Sequence, residues 1–379
     1  MKIIICQDSY KGTLSAQKVV ATIKKSLEIE LEGKCEISCI PLADGGEGTS
    51  EIITQYFKGK TYEVPLNQSF SSVEKGQVSI VDNQAFIDVA SASGLQLRPT
   101  VQTFFESSSY GTGELIKFAL ERECTKIHLC LGGSGINDAG IGVLNALGVQ
   151  FLDKNQVPLE PRTKNLSQID TLDFSKFKEL KLVDFVFLTD VLNPLVGKYG
   201  ATKIFASQKG ATKEAIQLTE NGMKNYIEVL QKLGFESQHD IQGAGAAGGI
   251  SYSLATIIGG NYQSGIDFIL QTVDLKNKLS KADVLIVGEG KYDFQTTMGK
   301  VVEGVLNLSE EYDLLRILLA GAVQWDYQNF QNPLIDFVQS TITENQSIED
   351  IIERAEKNLE SASKNIGKIL RKIKFEGID

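Results

Sequence analysis

Five short apolar runs in this 379-residue chain break off into clusters of glycine, aspartate and lysine. "KIIIC" (2–6) leads into Gln7-Asp8-Ser9-Tyr10-Lys11-Gly12, and "CEISCIPL" (35–42) leads into "ADGGEGT" (43–49). "KIHLCL" (126–131) leads into "GGSGINDAG", and 182–189 leads into Asp190 and then Asn193-Pro194. The run 283–287 leads into "GEGKYDFQTTMGK" (288–300). Apolar runs of four to eight residues, rich in β-branched side chains and bounded by turn residues, read as strands buried on both faces. Between them the period changes to 3.6. After Ser15, the residues Ala16, Val19, Val20, Ile23 and Leu27 share one helical face, and Ile52, Ile53, Tyr56 and Phe57 mark a second helix. Such alternation predicts an α/β protein with parallel sheet, with a further strand at 315–320.

Two segments depart from this rhythm. From about Tyr62 to Pro99 the pattern "GQVSIVDNQAFIDVA" alternates with period two and predicts a hairpin around Asp82-Asn83, the start of a mixed sheet. At the C-terminal end, Ile348, Ile351, Ile352, Ala355, Leu359, Ala362, Ile366, Leu370 and Ile373 form one stripe after Ser347, a candidate N-cap. That stripe predicts a long core-facing helix closing a domain.

Composition excludes several function classes. The net charge is −10 and no lysine or arginine block stands out, which argues against nucleic acid as partner. No stretch approaches the ~18–20 apolar residues of a membrane span. The start of the chain has no signal-peptide pattern, so a cytoplasmic protein is expected. The cysteines Cys6, Cys35, Cys39, Cys124 and Cys130 form no CxxC pair and read as free thiols. With only His128 and His239, a Ser-His-Asp triad or histidine-rich metal site is poorly supplied, and His128 reads as structural.

The chemistry is expected at the run ends, because open α/β sheets bind ligands beyond the carboxyl ends of their strands. Glycines permit close backbone approach, lysines neutralise phosphate, and carboxylates hold Mg²⁺ or accept a hydroxyl proton. That combination suits a metal–phosphate substrate. The standard fingerprints fail, however. "GSGIND" has Asp138 where the dinucleotide motif needs a sixth-position glycine or alanine. The "GK" pairs at 59–60 and 299–300 lack the first P-loop glycine, replaced by Thr54 and Phe294, and the second is followed by Val301. The protein-kinase catalytic loop is absent too. "GAGAAGGISYSLA" (243–255) reads either as close backbone packing or as an anion-contacting loop, and Lys209 in "QKGA" reads as a solvated surface lysine.

Taken in order, "DSYKGTLSA", "LADGGEGT", "ASGL", "SSYGTGELI", "GGSGINDAG", "ALGVQF", "NPL", "QKGA", "GAGAAGG" and "GEGKYDFQT" resemble the bacterial glycerate kinase type I family almost from end to end. The resemblance implies ATP- and Mg²⁺-dependent phosphorylation of D-glycerate in a cleft between two α/β domains. One would be Rossmann-like and discontinuous (1–64 and 275–379), the other a mixed-sheet domain inserted between (65–274). A kinase of the same scaffold for another small hydroxy acid, or a non-catalytic ligand-binding homologue, is the alternative.

Residue by residue, the match covers Asp8, Ser9, Lys11, Asp44, Glu47, Gly132, Gly133, Ser134, Asn137, Asp138, Asp190, Asn193, Lys209, Glu289, Asp293 and Gln295. Asp190 is expected as the general base, with Asp44 as alternative. Lys11 is the expected anion clamp, with Lys209 and Lys291 behind it. Asp138, Glu289 and Asp293 are expected on Mg²⁺, and Gly132-Gly133-Ser134 as a wall of backbone N–H groups facing an anion. Asp8, Ser9, Asn137, Asn193 and Gln295 complete the phosphate and substrate contacts. Asp8, Asp44 and Asp138 serve equally well as helix caps. The chain departs from the family pattern where "APDSFKG" reads "CQDSYKG", where "SATNDGG" reads "SGINDAG", and where "DVDNPL" reads "DVLNPL". Gln7, Ile136 and Leu192 are thus the changed positions nearest the motifs. The inventory leaves open the 2- or 3-hydroxyl as acceptor, and either domain as the nucleotide's.

Overall fold

The computed structural model describes residues 1–96, 98–177, 180, 182–293, 301–324, 332–342, 344–345 and 347–373. The fold is two-domain α/β. By contacts the chain divides into two compact units, Met1–Asp44 with Ile266–Asp379, and Gly45–Gly265. The division differs from the 64/65 and 274/275 boundaries expected above, because the strand Lys60–Pro65 pairs with Lys75–Val81 and so belongs with the second unit.

The first unit carries a five-stranded, all-parallel sheet. Its order is Glu36–Pro41, Lys2–Gln7, Val284–Gly288, Leu315–Ala320, Phe337–Ser340. Val284–Gly288 is buried along its whole length, as expected for a strand covered on both faces. Ala16–Glu30 starts where Ser15 accepts a hydrogen bond from the Lys18 N–H, and it buries Val19, Val20, Ile23 and Leu27. The helix Ile348–Leu370, capped by Ser347, lies beside it. Gly367 is the crossing point, since a Cβ there would stand 2.7 Å from Glu30 Cβ. Only the later part of the expected stripe is core. Leu359, Ala362, Ile366 and Leu370 are buried, whereas Ile348 and Ile352 are 72% and 51% exposed. The first turns of the helix project from the core.

The second unit is built on a mixed six-stranded sheet. Asn261–Gln263, Asp184–Leu188, Lys126–Cys130 and Gln84–Asp88 run parallel, and Lys75–Val81 and Lys60–Pro65 extend the sheet antiparallel. The expected hairpin is present, turning at Asp82 with φ +52° between Val81 and Gln84. His128 stacks on Phe86 with ring centroids 4.3 Å apart and bonds Gln84 Oε1 at 3.0 Å. Burial holds its imidazole down near 4, neutral and structural. All five cysteines are free. No helix of the described residues is long and apolar enough to cross a membrane.

The glycine run 243–249 resolves to close packing. A Cβ at Gly248 would meet Ile136 O at 2.2 Å, and one at Gly245 would meet Pro194 O at 2.4 Å. Gly248 has φ +64°, a region that costs a side chain about 1–3 kcal/mol before any clash. Gly248→Ala should therefore destabilise the second unit by roughly 2–4 kcal/mol. Thermal unfolding measures this, and an unchanged Tm would contradict the packing described.

Candidate active site

In a parallel sheet whose strands lie in chain order 2-1-3-4-5, ligands bind where the order reverses, between the first and third strands. Here those are Lys2–Gln7 and Val284–Gly288, which end level with one another as Gln7 pairs with Gly288. The next residue of each chain segment is a carboxylate, Asp8 and Glu289. The Asp8 N–H donates to Gly288 O at 3.0 Å, and Leu42 N–H donates to Gln7 O at 2.8 Å, which carries Asp44 to the same rim. Tyr10 fixes the loop that follows. Its carbonyl accepts from the Thr13 and Leu14 N–H groups, and its buried hydroxyl donates to Leu319 O at 3.2 Å.

A cavity of about 440 Å³ opens at this point. It brings together seven of the expected residues: Asp8, Ser9, Lys11, Asp44, Glu289, Lys291 and Asp293. Lys11 Nζ lies 3.3 Å from Asp44 Oδ2, and Lys291 Nζ lies 2.9 Å from Asp293 Oδ2. Four carboxylates thus face two lysines, and the electrostatics show the imbalance. Burial, then repulsion from Asp44, pushes the Asp8 carboxyl up to about 7, with Lys11 opposing. The Asp44 carboxylate holds Lys11 above the ordinary lysine value. Asp8 and Glu289 are both nearly inaccessible. Among the described residues, no three His, Cys, Asp or Glu side chains gather closely enough to hold a metal ion by themselves.

Sequence reasoning missed the remaining walls. Val301, Ile342, Ile351, Ala355 and Asn358 also line this cavity, the last three from the projecting turns of the C-terminal helix. For Ile351 and Ala355 the only signal was an apolar stripe that reads as core, and Val301, Ile342 and Asn358 carried none. Gln7, noted in the sequence only as a departure from the family pattern, sits at the end of the strand Lys2–Gln7. Its amide is fully buried with no hydrogen-bond partner for either terminal atom among the described residues.

The other expected residues belong to the second unit. Asp190 follows the strand Asp184–Leu188, and its Oδ1 accepts from Ser264 Oγ at 2.9 Å and Gly265 N–H at 3.0 Å. Asn193 donates to Tyr199 O at 2.8 Å, while Leu192 beside it is exposed. Gly133, with φ +76°, belongs to a loop pinned to 93–95, since Leu95 N–H donates to Gly133 O and Gly135 N–H to Ser93 O. Gly94 and Ser134 bridge the same contact, and Asn137 is buried and donates to Thr202 Oγ1. Glu47 is exposed. Gln295 lies outside the described residues.

Two expectations need correction here. Asp138 is fully buried, and its oxygens accept from Ser109 N–H, Ser109 Oγ, Gly140 N–H and Gly142 N–H at 2.7–3.2 Å. Four donors saturate the carboxylate in the cap role, so it is not placed to ligate Mg²⁺, and it occupies the N–H groups that an anion at this helix start would need. Lys209 is not a solvated surface lysine: it is 4% exposed, and Nζ donates to Ile136 O at 2.7 Å. Asp88, missed in the sequence, ends the strand Gln84–Asp88 and accepts from Gly48 N–H and Ser50 N–H. Burial lifts it to about 6.

The comparisons with known proteins bear on the family and the fold. The profile describing the glycerate kinase family matches residues 3–371. The chain belongs to the glycerate kinase family. It is 35% identical to a glycerate kinase of Bacillus cereus over 378 residues, covering 97% of this chain and 98% of that one. It is also 35% identical to a glycerate 2-kinase of Escherichia coli, covering 98% of each. The crystal structure of a candidate glycerate kinase 2 from Salmonella typhimurium LT2 superposes with a TM-score of 0.80 at 32% identity, covering 98% of both chains.

The Asp8 carboxyl makes a pH prediction. An unfolded aspartate titrates near ~4, whereas Asp8 in the fold titrates at about 7. Between those values the folded state keeps a proton that the unfolded state has released. This contribution to stability is complete below pH ~4 and is lost as the pH rises through about 7. Asp8→Asn, which cannot ionise, should therefore raise Tm relative to the wild type more at pH 8.5 than at pH 4.5. Equal differences at both pH values would return Asp8 to an ordinary carboxyl.

Proposed function

We propose that this protein transfers the γ-phosphoryl group of ATP to D-glycerate, and that the cavity at the sheet's switch point receives the nucleotide phosphates with Mg²⁺. The observation that carries this reading is the cluster of four carboxylates and two lysines in one 440 Å³ cavity of a chain that matches the glycerate kinase family over 3–371. The surplus of negative charge fits a cation, and the lysines fit phosphate oxygens. Mg²⁺ characteristically takes one or two carboxylates and leaves its other positions to phosphate and water, so the absence of a three-carboxylate cage among the described residues is compatible with it. Glu289 and Asp293 are the carboxylates we assign to it, and its chemistry is to neutralise charge on the transferring group.

The protein's own groups supply the rest. Lys11, paired with Asp44, places an exposed positive charge at the cavity rim, where it compensates phosphate charge. Asp190 is the proposed base. The glycerate hydroxyl oxygen bonds to the γ-phosphorus as the bond to the β,γ-bridging oxygen breaks, and the hydroxyl proton passes to the Asp190 carboxylate. Ser264 Oγ and the Gly265 N–H hold Oδ1 of that carboxylate, so its orientation is set before substrate arrives. The name of the Escherichia coli relative supports the 2-hydroxyl as acceptor. ATP as co-substrate supports a cytoplasmic location.

An ADP-release assay across D-glycerate, L-glycerate and related hydroxy acids tests the activity, with ³¹P NMR of the product to locate the phosphate. D-glycerate should be turned over and yield 2-phosphoglycerate, and turnover of another acid alone would overturn the assignment. Asp190→Asn should lower kcat roughly 10²–10⁴-fold with little change in KM. A near-normal rate would remove Asp190 from the chemistry.

A further inference from the structure

A second pocket, of about 230 Å³, lies wholly within the unit Gly45–Gly265 and collects four of the segments that carried the family resemblance. Ser93 of "ASGL", Ser108 of "SSYGTGELI", Gly135 and Ile136 of "GGSGINDAG", and Lys209 of "QKGA" all line it, together with Arg162. It is smaller than the roughly 300–1,000 Å³ that drug-sized ligands occupy.

The two cations in its wall differ in one respect. Arg162 is already neutralised. Its Nε lies 2.9 Å from Glu160 and 3.4 Å from Glu106, and its remaining donors reach Glu106 O and Ser69 O. Lys209 has no such partner. Its ammonium gives one proton to Ile136 O at 2.7 Å and reaches Ser134 Oγ only at 3.4 Å. Among the described residues it makes no ion pair, and the carboxylate that acts on it, Asp138, has its oxygens filled by Ser109, Gly140 and Gly142. A buried ammonium without a counter-ion is costly. Burial accordingly lowers Lys209 to about 8, which still leaves it mostly charged at neutral pH. The pocket therefore offers one positive charge without a direct ion pair among the described residues, an ammonium proton to spare, and the hydroxyls of Ser69, Ser72 and Ser108. Those of Ser71, Ser93 and Ser107 bond within the protein, and the Glu106 carboxylate in the same wall is taken up by Arg162 and Lys164.

We propose that this pocket is the carboxylate subsite for the small hydroxy-acid substrate, with Lys209 pairing its carboxylate. This rests on the substrate class read above. A small monoanion supplies a direct counter-charge, and Ser69, Ser72 and Ser108 offer hydrogen bonds to its hydroxyl groups. Ile136, where the family pattern has threonine, makes part of that wall apolar.

The test is calorimetric titration of D-glycerate into the nucleotide-free full-length protein, combined with steady-state kinetics, for wild type and Lys209→Met. Loss of a charge-assisted contact should raise both the Kd and the KM for D-glycerate by roughly 10- to 100-fold, with the KM for ATP unchanged. Because Lys209 also holds Ile136 O, a second variant, Ser72→Trp, obstructs the pocket from an exposed position without touching that bond. It should weaken D-glycerate binding at wild-type Tm. An unchanged D-glycerate Kd in either folded variant overturns the proposal. So does weaker binding with an unchanged glycerate KM, which would make the pocket an effector site instead. If the wild type binds D-glycerate through Lys209 but releases no ADP, the subsite stands and the kinase reading fails. If it turns over D-glycerate with Lys209→Met kinetics unchanged, the reverse holds.

Discussion

Strand Lys2–Gln7 lies in parallel register with Val284–Gly288, and the proposed nucleotide site of the first unit depends on that pairing across the whole inserted unit. The register aligns Gln7 with Gly288, so Asp8 and Glu289 emerge side by side above the sheet. A one-residue slip would turn every side chain of the strand to the other face. Once those carboxylates share a buried rim with Asp44, like-charge repulsion and desolvation follow from geometry alone. They explain why Asp8 resists ionisation and why Lys11 is held to Asp44. The cavity is electrostatically incomplete without cations, as a site for a magnesium–phosphate substrate should be.

In the second unit the organising constraint is close backbone packing around the loop 132–140. Gly248 stands against Ile136 O, the same carbonyl that holds the Lys209 ammonium, and Asp138 ties the Ser109 backbone to the start of the following helix. Glycines that look like a phosphate fingerprint in isolation are used here to let segments approach. Lys209 is buried without a direct ion pair among the described residues, and it faces a pocket instead of solvent.

Much of this was legible in the residues. Ser347 caps its helix as its spacing requires, the first helix begins after Ser15 as expected, and the apolar runs are strands that end in the expected carboxylates. The switch-point cluster was legible too, because glycine, aspartate and lysine at strand ends report local chemistry that survives folding. What was not legible was burial. Lys209 in "QKGA" has no local feature that distinguishes it from a solvated lysine, and Asp138 as cap or metal ligand differs only in which donors surround it. Ile351 and Ala355 carry the same periodicity as Leu359 and Ile366, although the first pair lines a cavity and the second pair is core. Arg162 and Asp88 lie outside any motif and matter only through partners distant in sequence.

By itself, then, the sequence determined the α/β class, the positions of its strands and helix caps, and the residue types gathered at the strand ends. Those depend on propensity, periodicity and turn chemistry within a few residues. Tertiary structure alone decided which charges share a cavity, which carboxylate is satisfied by backbone donors, and which lysine is buried without a direct ion pair among the described residues. These depend on desolvation and on distances between segments far apart in the chain, and no local pattern encodes either.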